Sequence, residues 1–129
     1  MLKVVIDTNS LIQMLGAKSP YHFLFTKFLS DEFTLCVSTE ILLEYEEILK
    51  EKASANVADL FMKVILYSRN IIRKEPYYKF NIIKSDVDDN KFVDCAIVSQ
   101  ADFIVTDDGH FKEVALTPFP KVDVISLEE

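Results

Sequence analysis

Apolar residues in this chain fall in short runs of four or five, separated by longer stretches in which they recur every three or four positions. That alternation of strand and helix points to a parallel sheet covered on both faces. Residues 2–6, 33–37, 70–73, 103–106 and 122–126 predict five strands. Between them the spacing predicts a short helix from near Asn9 and further helices over about 21–29, 39–52, 56–67 and 90–100, with a helical turn after Asp108. Ser19-Pro20 reads as a helix start, a capping hydroxyl followed by a proline at the first helical position, and Ser38 or Thr39 can cap the next helix. No repeat, low-complexity tract or linker interrupts the pattern, and 129 residues, half of them hydrophobic, suit one domain over 1–129 with a real core.

The glycines narrow the chemistry. Only Gly16 and Gly109 occur, and neither GxGxxG nor GxxxxGK[ST] is present, which excludes the usual dinucleotide and P-loop sites. In an open parallel sheet a site is expected beyond the carboxyl ends of the strands, where Asp7 and Asp108 stand. No charged leader precedes an apolar stretch, and no apolar run approaches the roughly 18 residues of a membrane span. The expectation is a cytoplasmic protein with no membrane association. Cys36 and Cys95 lie in apolar surroundings and match no ligand spacing, so they read as small buried hydrophobes.

A formal net charge of −7 argues against holding nucleic acid by overall field. The distribution qualifies this. Lys63, Arg69, Arg73, Lys74, Lys79 and Lys84 stand against the single acid Glu75, with Tyr67, Tyr77, Tyr78 and Phe80 interleaved. The plain reading is a solvated face; the sharper one is a track for a sugar-phosphate backbone with aromatic rings for base stacking.

The acids are the most informative residues. Asp7 closes the first strand, Glu44 and Asp94 fall inside predicted helices, and Asp108 follows the fourth strand, none with an evident basic partner. Burying such a group without compensation costs about 2–7 kcal/mol, and neighbouring carboxylates raise one another's pKa. A divalent cation is the simplest compensation. Each acid also has a plainer role: Asp7 can cap the helix after it, Glu44 can be a solvated surface acid, and Lys91 can pair with Asp94. On the helical wheel Glu44 and Glu46 flank the apolar stripe of Ile41, Leu42, Tyr45, Ile48 and Leu49, and periodicity does not choose between them. Asp94, set among Phe92, Val93, Cys95, Ala96 and Ile97, is the strongest single candidate. Of Asp107 and Asp108, one can cap while the other coordinates. Asp86, Asp88 and Asp89 read as a solvated loop with an N-cap, Asp89 being an outer contact to metal or substrate; His22 and His110 have no metal-ligand spacing.

Val5-Ile6-Asp7-Thr8-Asn9, Ser38 through Glu44, Asp88 through Ala96 and Ala101 through Asp108, in this order and context, resemble the PIN-domain family, in its toxin-like branch of toxin-antitoxin pairs. The resemblance implies a three-layer α/β/α sandwich with a five-stranded parallel sheet and an endoribonuclease site dependent on Mg²⁺ or Mn²⁺. Asp7, Glu44, Asp94 and Asp108 match its four acidic metal positions, Asn9 and Thr106 the polar catalytic positions beside them, and Ser38 the residue opening the second helix. It selects Glu44 over Glu46. Thr106-Asp107-Asp108 departs from the family's Thr-Gly-Asp, which leaves Asp107 and Asp108 in competition. Implied partners are an RNA substrate, an antitoxin protein and a second copy of the chain in a homodimer.

Two other readings differ in class. Receiver-type or dehalogenase-like phosphoryl transfer needs an acid after the third strand or Asp-x-Asp after the first, and Arg73-Lys74 and Asp7-Thr8-Asn9 supply neither. A catalytically silent PIN-like module would act by binding protein or RNA.

Overall fold

The computed structural model describes residues 2–16, 18–76, 79–83, 89–106 and 123–126. The chain runs β1 (Lys3–Ile6), α1 (Thr8–Leu15), α2 (His22–Leu29), β2 (Thr34–Val37), α3 (Thr39–Lys52), α4 (Ala55–Tyr67), β3 (Ile71–Arg73), α5 (Asn90–Ser99), β4 (Phe103–Val105) and β5 (Val124–Ile125). The strands form one sheet in the order β3-β2-β1-β4-β5, all parallel. Successive residues of a strand point to opposite faces. Val4, Val5 and Ile6 are nevertheless all buried, as is every residue of β2, so helices cover both sides in a three-layer α/β/α sandwich.

The strand order reverses beside β1. After β1 the chain moves outward to β2 and β3, then returns to place β4 and β5 on the other side. Ile6 is level with Val105, so Asp7 and Thr106 leave the sheet side by side at this switch point, where ligands of open parallel sheets bind.

Helix starts follow the capping chemistry. Ser38 Oγ accepts the Ile41 N–H at 3.3 Å, which settles Ser38 over Thr39 as the α3 cap, and Ser54 Oγ accepts the Val57 N–H at 3.1 Å at the start of α4. The start of α2 differs from the sequence reading. Ser19 Oγ takes the Tyr21 N–H at 3.1 Å and the Ser19 carbonyl takes the His22 N–H at 3.2 Å, so Ser19-Pro20 forms a turn and the helix begins at His22. Asn70 lies just outside β3, where its buried side-chain amide donates to the Phe28 and Phe33 carbonyls, each at 2.8 Å. Cys36 and Cys95 are free thiols in the core, and burial pushes Cys95 up to about 12. Among the described residues no helix is long and apolar enough to cross a membrane.

Candidate active site

Asp7 caps α1 at the carboxyl end of β1. Its Oδ1 accepts the Ser10 N–H at 2.9 Å, closing the first turn of α1, and its Oδ2 accepts the Thr106 hydroxyl. The Asp7 N–H donates to the Val105 carbonyl at 3.1 Å, which extends the β1–β4 ladder by one bond. Asp7 and Thr106 are buried and Asn9 is exposed.

Glu44 reaches the same place from α3. The next residue, Tyr45, is fully buried, and its hydroxyl donates to the Ile6 carbonyl, which fixes α3 against the end of β1. Burial, and after it the neighbouring Cys95 and Asp7, push Tyr45 well above 10, so it stays a neutral donor. Glu44 Oε2 accepts the Thr8 hydroxyl, and Oε1 pairs with Lys91 Nζ at 2.7 Å. Lys91 therefore joins Glu44, not Asp94 as its position on α5 suggested. Its side chain is 8% exposed against 23% for Glu44. Removing one charge of a largely buried pair strands the other. Glu44→Gln is accordingly expected to cost about 2 kcal/mol, with Lys91→Met in the same chain recovering part of it, as read by urea unfolding.

Two neighbouring cavities divide the acids. One, of about 170 Å³, is lined by Asp7, Thr8, Asn9, Glu44, Asp89 and the apolar Phe92, among other residues. The other, of about 210 Å³, is lined by Ser38, Leu43, Lys79, Lys91 and Asp94, among others. Among the described residues, Asp89 is the acid that lines the smaller cavity with Asp7 and Glu44, while Asp94, which the sequence groups with them, lines the larger one. Asp89 holds the N-cap position of α5 without a side-chain capping bond, at the helix end that favours negative charge. Asp94 lies five residues on, about 7.5 Å further along the helix axis. There its Oδ1 accepts the Phe80 N–H at 3.2 Å.

Burial raises the Asp94 pKa above the ordinary value of 3.8, with Glu40 adding to the rise and the Phe80 N–H and Lys79 opposing it. Between 3.8 and the raised value the folded state binds more protons than the unfolded chain. Stability is thus expected to fall as pH rises through that window. Asp94→Asn should flatten this part of the stability-pH profile.

Asp107, Asp108 and His110 lie outside the described residues, as do Tyr77, Tyr78 and Lys84. Within the basic segment Arg69 pairs with Asp31 at 3.2 Å and Arg73 with Glu75 at 3.2 Å, so two of its cations already have acidic partners. His22 is a packing residue, its Nδ1 3.1 Å from the Met14 carbonyl. Among the described residues no three carboxylate, imidazole or thiol groups stand close enough, as placed, to hold one ion. Among the described residues of the smaller cavity the groups able to ligate a metal, on Asp7, Thr8, Asn9, Glu44 and Asp89, offer hard oxygen, the type Mg²⁺ and Mn²⁺ prefer, beside the Lys52 ammonium. Glu44 carries Thr8 on Oε2 and the Lys91 ammonium on Oε1, so holding a cation would require it to exchange the ammonium for the ion.

Residues 3–110 match the sequence profile of the PIN domain. The chain belongs to the PIN-domain family. Its fold is shared with VapBC2 from Rickettsia felis, solved on a promoter DNA fragment, at a TM-score of 0.66 and 14% identity over 97% of this chain and 98% of that one. VapBC from Salmonella typhimurium, also solved with DNA, aligns at 0.64 and 17% identity over 98% and 99%. Mycobacterium tuberculosis VapC20, described as a sarcin-ricin loop cleaving toxin, aligns at 0.61 and 13% identity over 84% and 92%. No curated protein matches the sequence. At these identities the likeness is one of fold, and in this PIN domain the reversal of strand order coincides with the cavity that Asp7, Glu44 and Asp89 line.

Proposed function

We propose that this PIN domain is an endoribonuclease dependent on Mg²⁺ or Mn²⁺, hydrolysing RNA phosphodiester bonds as the toxin of a toxin-antitoxin pair. The observation that carries the reading is the meeting of Asp7, Glu44 and Asp89 on one cavity at the carboxyl ends of β1 and β4. Family membership and the shared fold with VapC-type toxins support it. Asp7, Glu44 and Asp89 would hold the metal, joined from beyond β4 by Asp108. A bound divalent cation supplies charge neutralisation at the phosphate and eases deprotonation of an attacking water.

The protein's own groups do the rest. Ser10 and Thr106 hold Asp7 in one orientation, and Thr8 does the same for Glu44. Asn9, exposed on the cavity wall, can donate to a phosphate oxygen or orient a water. Lys91 offsets one carboxylate charge, and Glu44 would hold a cation by turning its side chain from the ammonium. An antitoxin covering this cavity and a homodimer belong to the same proposal.

A second reading, a silent PIN-like module that acts by binding protein or RNA, draws on the same ion pair, since Lys91 already satisfies Glu44 Oε1. Incubation with single-stranded RNA, rRNA and tRNA pools separates the two. The ribonuclease reading expects cleavage with Mg²⁺ or Mn²⁺ and none in excess EDTA. Equal cleavage in EDTA, or none under any metal, would remove it.

A further inference from the structure

The second cavity is unexplained by the hydrolysis itself. It adjoins the proposed metal cavity through Lys91, whose ammonium pairs with Glu44 on one side while its side chain lines the Asp94 cavity on the other. Asp94 is buried and takes a single hydrogen bond, from Phe80, so that among the described residues nothing donates to its Oδ2. Glu40 stands on the same wall, and Leu43, 60% exposed, and Pro76 provide an apolar surface. Among the described residues on this cavity Lys79 is the remaining cation, because Lys91 is committed to Glu44.

This composition discriminates between ligand chemistries. Of the three acids among the described lining residues, Glu75 is taken up by Thr39 and Arg73, and the other two, Asp94 and Glu40, against one exposed ammonium disfavour a second phosphate. They favour a neutral, flat group that carries N–H donors on one edge and can lie against apolar side chains. Single-stranded RNA offers such a group in each unstacked base, read on its Watson–Crick edge. Among the bases guanine presents two adjacent donors, N1–H and the 2-amino group, matching the two oxygens of one carboxylate. Uracil, cytosine and adenine offer one donor group each on that edge.

We propose that the cavity lined by Asp94, Glu40, Leu43 and Pro76 is a base-recognition subsite that selects guanine in a nucleotide next to the scissile phosphate. The substrate class rests on the ribonuclease reading, but base binding does not require cleavage. The test is a titration of the isotope-labelled full chain by nuclear magnetic resonance, without divalent metal, using GMP, AMP, CMP and UMP separately. GMP is expected to shift the amides of Phe80 and Thr39, which border the subsite, and to bind about tenfold more tightly than UMP. Asp94→Asn and Glu40→Gln are each expected to reduce that preference, with amide spectra elsewhere unchanged; the second variant keeps the test valid if the first does not fold. Equal GMP and UMP affinity, shifts confined to other surfaces, or a full preference in folded variants would overturn the subsite. A Mn²⁺ titration of the same native sample reports separately on the metal cavity, so failure of the ribonuclease reading is seen independently.

Discussion

Replacing Asp7 with asparagine is expected to reduce metal-dependent RNA cleavage by on the order of 10³-fold, the loss that follows when several kcal/mol of charge stabilisation at a phosphate are removed. The same change should cost little stability, about 1 kcal/mol or less, because asparagine caps a helix as well as aspartate. Its carbonyl oxygen can still accept the Ser10 N–H, and the Thr106 hydroxyl can rotate to accept from the new amide. Cleavage rates and urea unfolding on the same preparation test both halves. A variant that cleaves within a few-fold of the native rate would remove Asp7 from the catalytic assignment. One that is inactive and unfolded would show the carboxylate to be a structural group.

The second large effect separates two aspartates on one helix. Asp89→Asn is expected to weaken Mn²⁺ binding by at least about tenfold, since it removes one anionic oxygen donor from the set on the smaller cavity. Asp94→Asn is expected to leave Mn²⁺ affinity within about twofold, because Asp94 faces the neighbouring cavity and takes its bond from Phe80. Isothermal calorimetry measures both. The reverse result would return Asp94 to the metal set and leave Asp89 as a cap.

The contrast shows where the sequence was readable. Strand runs and helical periods gave all five strands and all five described helices, because each is a local pattern of burial. That Asp7 and Thr106 stand side by side was readable too, each following an apolar run that ends at the same edge of the sheet. Asp94 stood out in the sequence because an acid amid Phe92, Val93, Cys95 and Ala96 looks like the outlier demanding an explanation, and its place on the larger cavity was not legible there. Asp89, in a polar run, looked like an ordinary cap. The available signal was positional: the N-cap of the helix, not its second turn, sits at the carboxyl edge of a parallel sheet. The pairing of Lys91 with Glu44 had no such signal, since it joins helices distant in the chain, and nearest-neighbour logic pointed to Asp94.

The account stands on anions from separate elements sharing one cation. Anomalous diffraction from a crystal soaked in Mn²⁺ addresses that directly. The predicted result is a peak bounded by Asp7, Glu44 and Asp89, with Lys91 displaced from Glu44. Anomalous density only beside Asp94, or none at the carboxyl ends of β1 and β4, would contradict it.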